Sequence, residues 1–308
     1  MWPVSETLFG GDVYSTADPF ATAITYDGDT VVWVGSDEAV SSGTPLDGDF
    51  VAPGFVDAAL DLRSGDGYDY LSCGVTSVHV IGTQEQCDAV TGPHVVAYPT
   101  DVREGRRAIQ VDEARDANTL TGPVFILVDT ADELAELEKL VRNPVWKTVA
   151  QRAGVRVLIA CDTQVDPEVW GTSGLALTVN PHYPRDLHAL FNAGAQVSFS
   201  LAGKPWEAVR AGVENGLSAR AAFNASTRFG FRALGQFDGG VLAPGSAVDM
   251  VRWSATSLVV QVADPRVAAW STDPRSGTPG LPDLGATLPH ARTTWVGGRS
   301  YDATPKSV

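Results

Sequence analysis

Three aspartates, Asp61, Asp129 and Asp162, each stand where an apolar, strand-like run gives out: "FVDAALDL", "GPVFILVDT" and "VRVLIACD". In a parallel α/β array the C-terminal strand ends form the face on which active sites are built. Carboxylates converging there can hold a hard cation or a basic ligand. They can also divide into acid and base if one pKa is raised. The competing reading is that each caps the helix that follows, as Asp often does. Three more residues are pocket candidates. His79 falls late in "VTSVHVIG", His182 lies in "VNPHYP", and Lys204, one of four lysines, lies in "FSLAGKPW". Such a histidine is a pocket residue or a hydrogen-bonded structural one. Such a lysine forms a Schiff base, binds an anion or is a solvated loop residue.

Other chemistries lack their spacing. His182 and His188 are six apart, not the i, i+4 pair of a helical metal site. No Gly-x-Ser-x-Gly elbow surrounds Ser198 or Ser200, and "FSLAGKPW" is not a P-loop. Cys73, Cys87 and Cys161 are scattered and form no Cys-x-x-Cys pair, which predicts ordinary reduced thiols. The net charge of −15 argues against a phosphate-binding surface, so no nucleic-acid partner is expected. The one small basic cluster, Arg103, Arg106 and Arg107, is interrupted by Glu104. No apolar run reaches the ~18–20 residues of a membrane span. The stretch "MWPVSETLFGGDVYS" lacks the basic start and apolar core of a signal peptide. The expectation is a soluble cytoplasmic protein without a membrane partner.

The elements that must position these residues are marked by pattern. The 308 residues, 44% hydrophobic, suffice for a large core. In "AITYDGDTVVWVGS" the Asp-Gly pair between two apolar runs predicts a hairpin. "SAVDMVRWSATSLVVQVA" and "ARTTWVGGRSYDA" read as further strands, the latter with a turn at Gly297-Gly298, and "DPRSGTPGLPDLGATLP" between them reads as a loop. The middle of the chain alternates apolar runs with helical stretches. In "TADELAELEKLVRN" Leu134, Leu137 and Leu140–Val141 share a face, and Thr130 with Glu133 makes a capping box. "DLHALFNAG" and "PWEAVRAGVENGLSARAAFNASTRFG" are also helical; the second breaks near Asn215-Gly216 and is recapped by Ser218. Nearly continuous apolar strands between helices predict a parallel sheet covered on both faces. Seven such strands fall between residues 55 and 203. The barrel they suggest is one unit short, or has one unit that leaves no clear mark.

Three segments together resemble the amidohydrolase superfamily. "PGFVDAALDL" is similar to the family's first barrel strand, usually Pro-Gly-Phe-Val/Ile-Asp-x-His-x-His. "GVTSVH" resembles its second strand. "GGVLAPGSAVDM" resembles the return from the last barrel helix to the terminal strands. The branch that looks nearest contains N-substituted formamide deformylase-like hydrolases, whose members run longer. The resemblance implies one or two divalent metals that activate water at the barrel mouth. It also implies where their ligands would fall. The first-strand histidines fall on Ala59 and Asp61. "GVRVLIACD" is similar to the fifth strand and puts Ala160 at its His. "NAGAQVSFSLAGKPW" is similar to the eighth strand and puts Ala202 at the water-activating Asp. The fourth-strand ligand would fall near Leu127–Asp129, and His182 is the nearest candidate for the sixth strand. Methyl groups bind no zinc, and one carboxylate does not hold a catalytic ion.

These readings predict an α/β fold: a reduced (β/α) TIM-like barrel over residues 53–234, with a small β-sandwich built from residues 1–52 and 235–308. The expected function is that of an amidohydrolase homologue that has lost its catalytic metal site. Such a protein acts by binding a small-molecule ligand, or a partner, with a homodimer as one form. No cofactor is expected. The alternative is a divergent hydrolase of non-peptide carbon–nitrogen bonds in a small amide or formamide. It would use Asp61, Asp129 or Asp162 and at most one divalent metal such as zinc.

Overall fold

The computed structural model describes residues 5–254, 257–259, 279–285 and 287–304. The chain opens with six short strands: β1 (Glu6–Phe9), β2 (Asp12–Val13), β3 (Ala23–Asp27), β4 (Thr30–Gly35), β5 (Thr44–Pro45) and β6 (Phe50–Pro53). The Asp-Gly signal is a hairpin: β3 and β4 pair antiparallel, Asp27 opposite Thr30, and Gly28 takes φ 58° to close the turn. One sheet runs β4-β3-β1-β5.

Eight parallel strands follow: β7 (Phe55–Asp61), β8 (Val75–Gly82), β9 (His94–Pro99), β10 (Arg107–Gln110), β11 (Val124–Val128), β12 (Arg156–Ile159), β13 (Ala176–Val179) and β14 (Gln196–Phe199). They lie in chain order in two ladders, β7-β8-β9 and β10-β11-β12-β13-β14. Among the described residues no strand register joins the two arcs. Side chains close the middle instead. The Arg156 guanidinium of β12 reaches Ala58 O of β7 (3.0 Å), His79 of β8 (2.8 Å), Tyr98 of β9 (3.5 Å) and Thr178 of β13 (3.4 Å). It also lies 4.5 Å from the Phe125 ring centroid of β11.

The unmarked unit is β10. It is four residues long, and the basic segment "VREGRR" leads into it. Its charge hid it: Arg107 is buried and gives its guanidinium to the carbonyls of Gly105, Thr119 and Thr121. The strand set is therefore not reduced, and every later strand moves up one place. Asp129 follows the fifth strand, Ala160 the sixth and Asn180 the seventh; the fourth ends at Gln110.

The helices are α1 (Gln84–Ala89), α2 (Val111–Ala114), α3 (Ala131–Arg142), α4 (Pro144–Ala153), α5 (Pro167–Gly171), α6 (Leu187–Asn192), α7 (Pro205–Glu214), α8 (Ala219–Ala225) and α9 (Arg228–Arg232). The Thr130–Glu133 capping box starts α3, whose Leu134, Leu137 and Val141 are buried against the sheet. Ser218 caps α8 through Ala221 N. No described helix is long and apolar enough to cross a membrane.

The C-terminal strands are β15 (Met250–Ser254), β16 (Leu258–Val259), β17 (Leu281–Pro282), β18 (His290–Val296) and β19 (Arg299–Asp302). Gly297-Gly298 makes the β18–β19 turn, with both φ angles positive. Residues 273–278 and 286 of the Pro/Gly-rich stretch expected as a loop lie outside the described residues; within the rest, Leu281–Pro282 form β17, paired with β16. A five-stranded sheet runs β19-β18-β15-β6-β2, so both chain ends contribute to it. It shares a core with the N-terminal sheet: Leu8, Ile24 and Val31 pack with Val51, Met250 and Trp295. Trp295 Nε1 donates to Tyr26 Oη across that core (3.0 Å).

Candidate functional site at the strand ends

The C-terminal ends of β7, β12, β13 and β14 surround a cavity of about 300 Å³. Ala59 and Asp61 of β7, Ala160 after β12 and Ala202 after β14, three separate segments, all line it. Its polar lining holds the carboxylates of Asp57, Asp61 and Asp66 beside Tyr68, Asn180, Tyr183 and Ser200.

Asp57 anchors one side. It is fully buried, and both carboxylate oxygens are held. Tyr68 Oη donates to Oδ2 (2.8 Å), while Leu201 N (3.1 Å) and Ala59 N (3.3 Å) donate to Oδ1. Burial raises the Asp57 pKa, and these donors only partly offset it. Burial first, then the Asp57 charge, pushes the Tyr68 phenol well above its ordinary value. The bend after β14 needs an unusual backbone, with Ala202 at φ 49° and Gly203 at φ 74°. Tyr68 packs so close to Gly203 that a side chain there would meet its ring.

Asp61 and Asp129 do come together, through a residue the sequence did not single out. Arg63 Nε and Nη2 donate to Asp61 (2.9 and 2.7 Å); Nη1 and Nη2 donate to Asp129 (both 2.9 Å). Its hydrogen bonds hold the Asp129 carboxyl below the usual range, and the two carboxylates raise Arg63 in turn. Asp162 does not join them: it is exposed and off the cavity, nearest in charge to Arg185. Neither Asp129 nor Asp162 caps a helix. Thr130 caps α3 and Asp166 caps α5.

The other candidates lie elsewhere. His79 is fully buried in the middle of the strand array, and its Nδ1 faces the Arg156 guanidinium. Burial and then Arg156 push its pKa well below the ordinary value, which favours the neutral imidazole. His182 is exposed; the residue of that segment in the cavity wall is Asn180, whose Oδ1 accepts from His182 N (3.0 Å). Lys204 precedes α7, pairs with Glu207 (3.3 Å) and borders a different cavity beside Trp206 and Trp253. Sequence reasoning missed Arg63, Tyr68, Asn180 and Tyr183. Three of these sit on loops that follow strand ends, and only the strand-end position of Asn180 offered a signal.

Among the described residues no group of three or more His, Cys, Asp or Glu could hold a metal ion. Three cavity positions carry methyl groups, and Asp61 is committed to Arg63. The residues present do not fit a catalytic divalent ion.

No protein-family model matches the sequence, and no curated protein matches it. Solved structures do. E. coli guanine deaminase superposes with a TM-score of 0.64 at 14% identity, over 97% of this chain and 99% of that one. The N-isopropylammelide isopropylaminohydrolase of Burkholderia multivorans gives 0.64 at 12%, over 96% and 98%. A. niger ochratoxinase gives 0.60 at 13%, over 100% and 98%. The chain shares its fold with these three enzymes. At these identities the likeness speaks for the fold, and activity has to be argued from the site.

Proposed function

We propose that the strand-end cavity takes a small amide- or formamide-like molecule, and that this chain binds it without metal-assisted hydrolysis. One observation carries the reading. Ala59, Asp61, Ala160 and Ala202 converge on one cavity, so the space is kept while its walls lack a metal-binding set. The uncharged polar groups there, Asn180, Tyr183 and Ser200, suit a neutral polar ligand. The net charge of −15 supports the accompanying expectation of no nucleic-acid partner.

A second reading is hydrolysis of a carbon–nitrogen bond in the same cavity. The comparisons support it more than the first, because the structural neighbours are hydrolases and deaminases. In that reading Asp57 and Tyr68 would handle the proton, since Asp61 and Asp129 are bound to Arg63.

Elemental analysis of protein purified without chelator, followed by an amide and formamide panel read as ammonia or formate release, tests both. Metal-free protein that binds a panel member without turnover supports the first reading. Metal-free turnover that Asp57→Asn abolishes supports the second. Stoichiometric zinc, manganese or iron overturns the first reading and leaves the second, which admits one divalent metal.

A further inference from the structure

We propose that the Arg63 guanidinium is the resident cation of the strand-end face, holding Asp61 and Asp129 as its two anionic ligands and keeping divalent ions out. Asp61 closes β7 and Asp129 follows β11, strands of different ladders. One guanidinium joins them through four donor–acceptor contacts of 2.7–2.9 Å. A planar fork of this kind satisfies two carboxylates at once, which a lysine ammonium cannot do with the same geometry. Arg63 N also donates to Asp61 Oδ1 (3.0 Å), so the cation is tethered two residues from its first ligand. That tether makes it a high-concentration competitor to any free ion.

A third polar side chain adjoins the pair. Gln110 ends β10, its side chain bonds Asp129, and its Oε1 is buried without a hydrogen-bond partner. Two carboxylates and an amide carbonyl are oxygen ligands of the type that hard divalent cations prefer. With Arg63 in place the carboxylates are neutralised down to one net negative charge. Without it they repel each other and are free to take an ion. The proposal does not rest on the functional reading: its readout is the difference between an Arg63 variant and the unaltered chain.

The test is calorimetric titration of manganese and of calcium into chelator-stripped full-length protein. Arg63→Ala should bind at least one of them about tenfold or more tightly than the unaltered chain does. Adding Asp129→Asn to that variant should abolish the gain. Arg63→Lys, which keeps the charge but not the fork, should fall between. If Arg63→Ala does not fold, Arg63→Gln provides the same comparison. Equal affinity with and without Arg63, a gain that survives Asp129→Asn, or tight binding by the unaltered chain overturns the proposal.

Discussion

Nδ1 of His79 lies 2.8 Å from the Arg156 guanidinium, both fully buried in the middle of the strand array. The other partners of Arg156 are neutral: Ala58 O, Tyr98 Oη and Thr178 Oγ1. A buried cation held by carbonyl, hydroxyl, imidazole and ring faces contributes mainly volume and hydrogen bonding. Arg156→Ala should cost about 3–5 kcal/mol by urea denaturation, since it empties the interior and leaves His79 without its donor. Arg156→Met should recover most of that loss. Equal destabilisation by the two variants would contradict this account.

Two histidines should pull the pH dependence of stability in opposite directions. His79 is lowered below its ordinary value by burial and Arg156. Its contribution is present above the unfolded pKa, near 6.5, and is lost as pH falls. His94 is raised by its hydrogen bond to Asp249 Oδ1 (2.9 Å). Its contribution is present below the unfolded pKa and is lost as pH rises through the folded one. His79→Gln should therefore flatten the acid limb of the stability profile. His94→Gln should lower stability at pH 5.5 and leave it unchanged at pH 8.5, by under about 1 kcal/mol because the pair is half exposed. Denaturant midpoints across pH 5–9 would read both.

Tyr68 links the loop after β7 to the buried Asp57 carboxylate. Tyr68→Phe removes one donor from a buried acid and should cost about 1.5–3 kcal/mol. It should also loosen the cavity wall, read as faster amide exchange around residues 64–70. Unchanged stability together with unchanged exchange would show that the contact is incidental.

Strand β6 lies between β15 and β2. Arg252 of β15 and Arg292 of β18 both reach Asp49, just before β6 (2.5 and 3.1 Å). Deleting residues 235–308 strips β6 of one partner and bares an apolar edge. The truncated chain is expected to be insoluble; soluble, monodisperse protein would show that the two chain ends do not depend on each other.

Much of the fold was legible because its signals are local. The Thr130–Glu133 capping box, the Asp27-Gly28 turn and the Ser218 cap each act within a few residues, so their chemistry is written in adjacent letters. β10 was not legible. Only Ala108 and Ile109 mark it as apolar, and it is a strand because Ala108 lies opposite Phe125 and the carbonyls of Thr119 and Thr121 receive Arg107. Missing it displaced the strand count by one and put Ala160 on the wrong strand. The strand-end positions of Asp61 and Asp129 were set by the sequence pattern alone. That a single guanidinium takes both was decided by tertiary structure. Arg63 and Asp129 are 66 residues apart, and only the packing of two separate ladders brings them within a hydrogen bond.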